Sequence, residues 1–250
     1  KFNGKTKDIF IKQGIIQEID DKIVKKSAKE INLDNLHISQ GWLDSSVCFG
    51  EPGLEERETI ENGSLTACLS GFTDIILNSN TLPVIDSKAD VIYVKSKNKN
   101  KALKIHPLGA LTLKSEGSEM AELHEMFDSG AVGFYDYKKS VKNPNLLKTA
   151  LQYVQHFDGL IMTFPFEKSI CQNGQMNEGE ISTLYGLEGI PSLSEEITLE
   201  RDLKILEYTG GKLFIPTIST SKSVELIKNA KRKGLQIITS VSINNIFFNE

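Results

Sequence analysis

The chain has 250 residues, 39% hydrophobic and 25% charged, with a formal net charge of -4 from 29 basic and 33 acidic side chains. That composition fits a globular protein with one large core or two smaller ones, and it excludes a broad basic face, so neither nucleic acid nor an anionic membrane is an expected partner. No apolar run approaches the ~20 residues that cross a bilayer. The opening stretch KFNGKTKDIF lacks the apolar centre of a signal peptide, so the cytoplasm is the expected compartment. Cys48, Cys68 and Cys171 are odd in number and widely spaced, which matches neither a disulfide framework nor a zinc knuckle.

Residues 1–35 are expected to form an N-terminal β portion. Short alternating runs at 8–12 and 14–19, joined at Lys12-Gln13-Gly14, predict a hairpin, with further short strands near Ile23-Val24 and Ile31-Leu33. This is too little to be stable alone and is expected to be part of a small β-sandwich. From residue 36 to 250 strand and helix alternate. Strands are predicted at 38–47, 74–77, 103–107, 131–135, 159–164, 212–218 and 235–241. Helices are predicted at 56–70, 118–128, 145–157, 194–208 and 220–233. Their ends carry local signals: Ser129-Gly130 as a C-cap, Pro144 in a first turn, and stops at Gly210-Gly211 and Gly234. The basic run at 95–104 is expected to be a solvated helix end.

Short apolar strands in seven strand-helix steps predict a parallel sheet covered on both faces. Seven steps fit a (β/α)8 TIM-type barrel of strands one to seven, incomplete at the C-terminus. No Gly-x-Gly-x-x-Gly follows the first strand and no Walker-type loop occurs, so nothing supports nucleotide binding. In such a barrel the chemistry sits at the C-terminal ends of the strands. Here those ends carry Ser46, Cys48 and Gly50; Asn78 to Thr81; His106-Pro107; Asp136-Tyr137; Phe164; Thr217; and residues 242–245.

A collinear set of short motifs runs through almost the whole chain. It includes Gly41-Trp42-Leu43-Asp44, Glu51-Pro52-Gly53, Asn80-Thr81-Leu82-Pro83 and Leu108-Gly109-Ala110-Leu111-Thr112. Further along are Met176-Asn177-Glu178-Gly179, Gly186-Leu187-Glu188-Gly189-Ile190-Pro191, Arg201-Asp202 and Ser219-Thr220. Each is weak singly, but together they resemble the dihydroorotase branch of the amidohydrolase superfamily. The resemblance implies a barrel of the metal-dependent hydrolase kind. Members of the family bind zinc through a His-x-His pair after strand one and a histidine each from strands five and six. The zinc acidifies a bound water, a carboxylate from the last strand moves the proton, and an Arg and an Asn grip the substrate carboxylate.

Carried onto this chain, the His-x-His positions are Ser46 and Cys48, and the Arg position is Gly50. The strand-five histidine position is Phe164 (Thr163 on a one-residue shift), and the strand-six position is Thr217. Asn244-Asn245 stand where paired histidines are common. Asn80 remains as a candidate substrate-binding residue and Asp136 as a candidate catalytic remnant. His106 is the one histidine near a strand end, where the family has no ligand, and Glu178 is expected to pack or cap its loop. The expectation is therefore a dihydroorotase-like protein of pyrimidine biosynthesis that is an inactive pseudoenzyme, binds no zinc or other cofactor, and has a structural or regulatory role. The resemblance implies aspartate transcarbamoylase as a partner, or self-association. Two alternatives are an amidohydrolase acting on a cyclic amide through an altered or metal-free site, with Cys48 or Asp136 reactive, and a small-molecule binding module.

Overall fold

The computed structural model describes residues 3–171 and 173–248. Backbone contacts divide the chain into two compact units, Lys1–Gln40 and Gly41–Glu250, a few residues beyond the change of pattern at residue 36.

In the first unit β1 (Asp8–Lys12) and β2 (Ile15–Asp20) form an antiparallel hairpin, with Lys12 opposite Ile15. The loop residues Gln13 and Gly14 both have positive φ, 52° and 75°. That geometry matches the twist of the flanking strands. Ion pairs Lys7–Asp21 (2.6 Å) and Lys25–Glu18 (2.8 Å) brace it. The strands expected near Ile23-Val24 and Ile31-Leu33 do not form, and Val24, Ile31 and Leu33 stay exposed. Two or three apolar residues gain little from extension when no neighbouring strand takes up their backbone groups. Among the described residues this unit is a single hairpin.

The second unit runs through β3 (Trp42–Val47), α1 (Ile60–Leu69), β4 (Phe72–Leu77), α2 (Lys88–Lys97), β5 (Lys104–Pro107), α3 (Leu123–Asp128) and β6 (Phe134–Tyr135). It continues with α4 (Pro144–Val154), β7 (Ile161–Met162), and a short excursion of α5 (Lys168–Cys171), β8 (Met176–Asn177), α6 (Glu180–Tyr185) and β9 (Gly189–Ile190). Then follow α7 (Leu193–Thr209), β10 (Lys212–Ile215), α8 (Ser221–Arg232), β11 (Gln236–Thr239) and α9 (Ile243–Phe247). Strands β3-β4-β5 pair in parallel, as do β6-β7-β10-β11. A parallel bridge between Gly109 and Phe134 joins the two runs. The seven strands thus follow one another in the order of an α/β barrel, with β3 and β11 as its outer edges.

Successive strand residues face opposite sides, and this sorts the core into two layers. Ile75, Leu77, Phe134, Ile161, Leu213 and Ile215 pack against the helices in the main core. Their neighbours Ile76, Tyr135, Met162 and Phe214 meet on the other face with Leu108, Tyr137 and Phe164. Helix α4 shows why the helices form. Asn143 caps it, Pro144 opens it, and Leu147, Ala150, Leu151 and Val154 lie fully buried at helical spacing. Each such leucine contributes about 1.5–3 kcal/mol on burial.

Several boundaries differ from expectation. The helix expected at 118–128 begins only at Leu123, because an antiparallel bridge between Thr112 and Met120 holds the preceding segment as a loop. The helix expected at 56–70 begins at Ile60, after Thr59 caps it and Gly50 N–H binds Glu58 O. The strand expected at 38–47 begins at Trp42. Helix α2 opens where the Asp90 carboxylate accepts from the N–H and hydroxyl of Ser87, and the basic run begins in its last turn. Among the described residues no helix is long and apolar enough to cross a membrane.

The loop after β3 is tied down by Glu51, which is 7% exposed. Its carboxylate accepts from Ile60 N–H (2.9 Å), the Tyr93 hydroxyl (3.0 Å) and Lys97 Nζ (3.1 Å), so it fixes α1 and α2 together. Burial works against the charge, but the bonds from Ile60, Lys97 and Tyr93 outweigh it and hold the carboxyl below its ordinary range. A carboxyl whose pKa falls on folding contributes stability that is present above the unfolded value and lost as pH drops through the folded one. Glu51→Gln should therefore lower Tm at neutral pH, and the difference from wild type should shrink below about pH 4. A difference that stays constant across thermal melts from neutral to acid pH would contradict this role.

Candidate functional site

Parallel strands direct their C-terminal ends to a common rim. Ser46 lies in the last turn of backbone of β3 and Cys48 just beyond it; Asn78 and Asn80 follow β4. Asp136 follows β6, Phe164 follows β7 and Thr217 follows β10. Asn244 and Asn245 lie on α9, exposed.

At the end of β3 the register with β4 shifts between Asp44 and Val47. The Asp44 carboxylate accepts the Ser46 N–H there at 3.0 Å. Asn78, 1% exposed, brings Ser46 and Cys48 together, the two residues expected at the His-x-His positions. Its Nδ2 reaches Ser46 Oγ (3.1 Å), Val47 O (3.1 Å) and Cys48 Sγ (3.4 Å). Its Oδ1 has no hydrogen-bond partner. The Tyr137 hydroxyl interacts with the Cys48 sulfur, and the Tyr137 ring meets Tyr135 edge-on at 5.8 Å. Burial pushes the Tyr135 phenol up to about 12. Burial, and then Cys48, push the Tyr137 phenol up as well. Both remain protonated at neutral pH and are donors, not bases.

Asp136 is 3% exposed and saturated. Its Oδ1 accepts from Leu111 N–H and Thr112 N–H, both at 3.0 Å, and its Oδ2 from Thr112 Oγ1 at 2.6 Å. The Ser115 side chain adds a further bond. Burial still raises its pKa against these bonds. The structure thus places the candidate catalytic remnant at the foot of the loop after β5, holding that loop.

The other candidates stand apart from this cluster or have partners of their own. Asn80 is half-buried, and its Oδ1 has no hydrogen-bond partner. Phe164 packs into the inner aromatic layer and against Phe166, ring centroids 5.7 Å apart. The loop carrying Thr217 is held by Glu195, whose carboxylate accepts from Ser219 N–H (3.0 Å), Ser219 Oγ (2.6 Å) and Thr220 N–H (3.2 Å). His106 Nε2 is paired with Asp74 Oδ1 at 2.8 Å, and the His106 bond is the main reason the Asp74 carboxyl lies below its ordinary range. Glu178 follows β8, where its N–H binds Ile190 O. Its neighbours Met176 and Asn177 pair with Gly189 and Ile190, so this segment serves packing. Sequence reasoning placed Asn78 at a strand end but gave it no role. It stands two positions from Ile76 on the same face of the strand run, which was the available signal.

The donor set can be compared with what zinc requires. Zinc takes three or four N, S or O donors in a tetrahedral arrangement. The strand ends offer one thiol, a carboxylate already occupied by Leu111, Thr112 and Ser115, two hydroxyls and a phenylalanine. Among the described residues no three His, Cys, Asp or Glu side chains come together. The residues present do not fit the metal. Asp136→Ala would strand two buried N–H groups and a hydroxyl, and should cost about 2–5 kcal/mol, whereas Asp136→Asn should cost less. Urea unfolding measures both, and a cost for Asp136→Ala under about 1 kcal/mol would remove the structural assignment.

A family model described as dihydro-orotase-like matches residues 37–223. A dihydroorotase of Acetivibrio thermocellus is 38% identical over 231 residues, which cover 92% of this chain and 54% of that protein. A dihydroorotase of Pelotomaculum thermopropionicum is 35% identical over 236 residues, covering 94% of this chain and 55% of the relative. Among solved structures, the L-hydantoinase (dihydropyrimidinase) of Arthrobacter aurescens has a similar fold, with TM-score 0.72 and 20% identity over 96% of this chain and 55% of that one. The Saccharomyces cerevisiae dihydroorotase in complex with 5-fluoroorotic acid aligns with TM-score 0.57 and 14% identity over 83% of this chain and 57% of that one. The chain spans about half the length of the curated relatives it matches.

Proposed function

The chain belongs to the dihydroorotase-like family of amidohydrolases, and from that membership we propose that it serves pyrimidine biosynthesis in the cytoplasm as a scaffold that does not open or close the dihydropyrimidine ring. The observation that carries this reading is the state of the rim. Ser46 and Cys48 are engaged by Asn78, Phe164 fills the inner layer, and Asp136 holds a loop. No step of metal-assisted hydrolysis can be built from these groups. Metal-free hydrolysis through Cys48 is not favoured either, because a thiol nucleophile needs an adjacent base and its neighbours are an amide and a protonated phenol.

The role left to such a barrel is structural or regulatory. We place it with aspartate transcarbamoylase as a partner, or with a second copy of itself. Family membership supports this, since the family acts in the same pathway. Purified protein should carry zinc far below one atom per chain by mass spectrometry and should not turn over dihydroorotate or carbamoyl aspartate. It should co-elute with aspartate transcarbamoylase, or self-associate, on size exclusion. Zinc near one atom per chain together with turnover would overturn the non-catalytic reading, and a monomer that ignores the transcarbamoylase would overturn the scaffold role.

A further inference from the structure

The exposed apolar side chains of the second unit include two groups. One lies on the outer edge strands β3 and β11 or beyond them, as Trp42, Ile238 and Phe247 do. The other begins on the excursion that follows β7, a strand whose neighbours β6 and β10 are both in place. There Leu184 is 76% exposed and Tyr185 71%, and Leu187, Leu193 and Ile197 are 41%, 50% and 45% exposed. Leu193 and Ile197 stand one turn apart on α7. Together these five side chains present on the order of 400 Å² of apolar surface, the scale at which a patch marks an interaction site.

The charge around this face has one sign. Residues 169–200 hold six glutamates and no Lys, Arg or His. Glu178, Glu180 and Glu188 are exposed and form no ion pair among the described residues. The next helix has the opposite sign. On α8 Val224, Lys228 and Lys231 share one exposed face with Arg232 beside them, and these three cations form no ion pair among the described residues. Helix α7 packs on α8, and the Glu195 carboxylate joins its first turn to Ser219 and Thr220 just before α8. Both helices run the same way between parallel strands. The acidic face therefore lies at their starts and the basic face towards the end of α8. A groove of about 480 Å³ between them is lined by Leu203, Leu226, Ala230 and Leu235 among charged residues.

Opposite charge at opposite ends of one surface fits the same surface turned about a two-fold axis. Each acidic face then meets a basic one, whereas a parallel arrangement would set like charges together. We propose that α6, α7 and α8 form the surface on which a second copy of this chain docks head to foot, as a two-fold dimer. The long stems of the α8 lysines lie over the apolar side chains while their charges meet the glutamates. Each face is used twice, so the interface reaches on the order of 1,600 Å², the size of a stable dimer. The inference rests on the self-associating form of the scaffold role and names its surface.

Sedimentation velocity on the whole chain tests it, at micromolar concentrations and at low and high salt. A dimer is expected that weakens as salt screens the charges. Leu184→Glu and Lys228→Glu alter exposed side chains, and each should raise the dimer Kd roughly tenfold or more with Tm unchanged. Carbodiimide coupling of mixed isotope-labelled and unlabelled copies should give links between copies that join residues 178–188 to Lys228 or Lys231. A dimer that resists both substitutions and salt, or links confined to single copies, would overturn this surface and leave self-association standing. A monomer would overturn it as well, while metal analysis and co-elution with the transcarbamoylase test the scaffold reading separately.

Discussion

The second unit depends on a carboxylate at its thinnest seam. Between β5 and β6 the ladder is reduced to the Gly109–Phe134 bridge and a few bonds around it, such as Tyr135 N–H to Gly109 O at 2.8 Å. Asp136 closes this seam from the side, since its oxygens take two N–H groups and a hydroxyl from Leu111 and Thr112 on the loop that leaves β5. Hydrogen bonds to an ionised group are the strong ones, each worth about 1.5–3 kcal/mol. The burial that raises the Asp136 pKa is the cost of placing a charge there. Once the donors are in place, removing the acceptor costs more than keeping it. The two runs of strands stay one sheet, and the strand ends stay on one rim.

Much of the second unit is legible in the sequence because two periods alternate along it. The strand runs around 74–77, 103–107 and 212–218 are short and apolar on both faces, since each side of the sheet is covered. Helices α7 and α8 fall within a residue or so of their predicted ends, where Gly210 and Gly234 stop them. Legibility fails where burial is thin. Helix α2 buries only Val91 and Val94 and ends in lysines, so it has almost no apolar periodicity to read. The excursion through α5, β8, α6 and β9 consists of elements of two to six residues, below the length at which a period can be counted. Ile23-Val24 and Ile31-Leu33 mislead in the opposite sense, because they carry strand-like composition without a strand to pair with.

The rim was legible in its positions and not in its partners. The spacing of Ser46 and Cys48 after a strand, and of Phe164 and Thr217 after later ones, follows from strand order alone. Nothing in the sequence says that Asn78 would reach both Ser46 and Cys48 across β3 and β4, because that contact depends on the register shift between Asp44 and Val47. Nor does it show that Asp136 is spent on Leu111 and Thr112, more than twenty residues away. Partner choice at strand ends is set by loop geometry, which leaves only a weak mark on composition.

A metal at a barrel mouth does chemistry, and it also ties strand ends together by drawing ligands from several of them. In this chain that second task is carried out by side chains. Asn78 links the ends of β3 and β4, and Tyr137 reaches from beyond β6 to Cys48 beyond β3. Phe164 and Tyr137 both pack against the inner layer, and Glu195 fixes the loop that carries Thr217. Ser46 and Cys48 are thus bonded members of this network, Phe164 is packed in the inner layer, and Thr217 lies on a loop that Glu195 holds. A zinc ion entering here would have to break those bonds before making its own. Asp136 could join it only by releasing Leu111 and Thr112, which would open the seam between β5 and β6. The side chains at these strand ends thus tie the rim together through their own contacts.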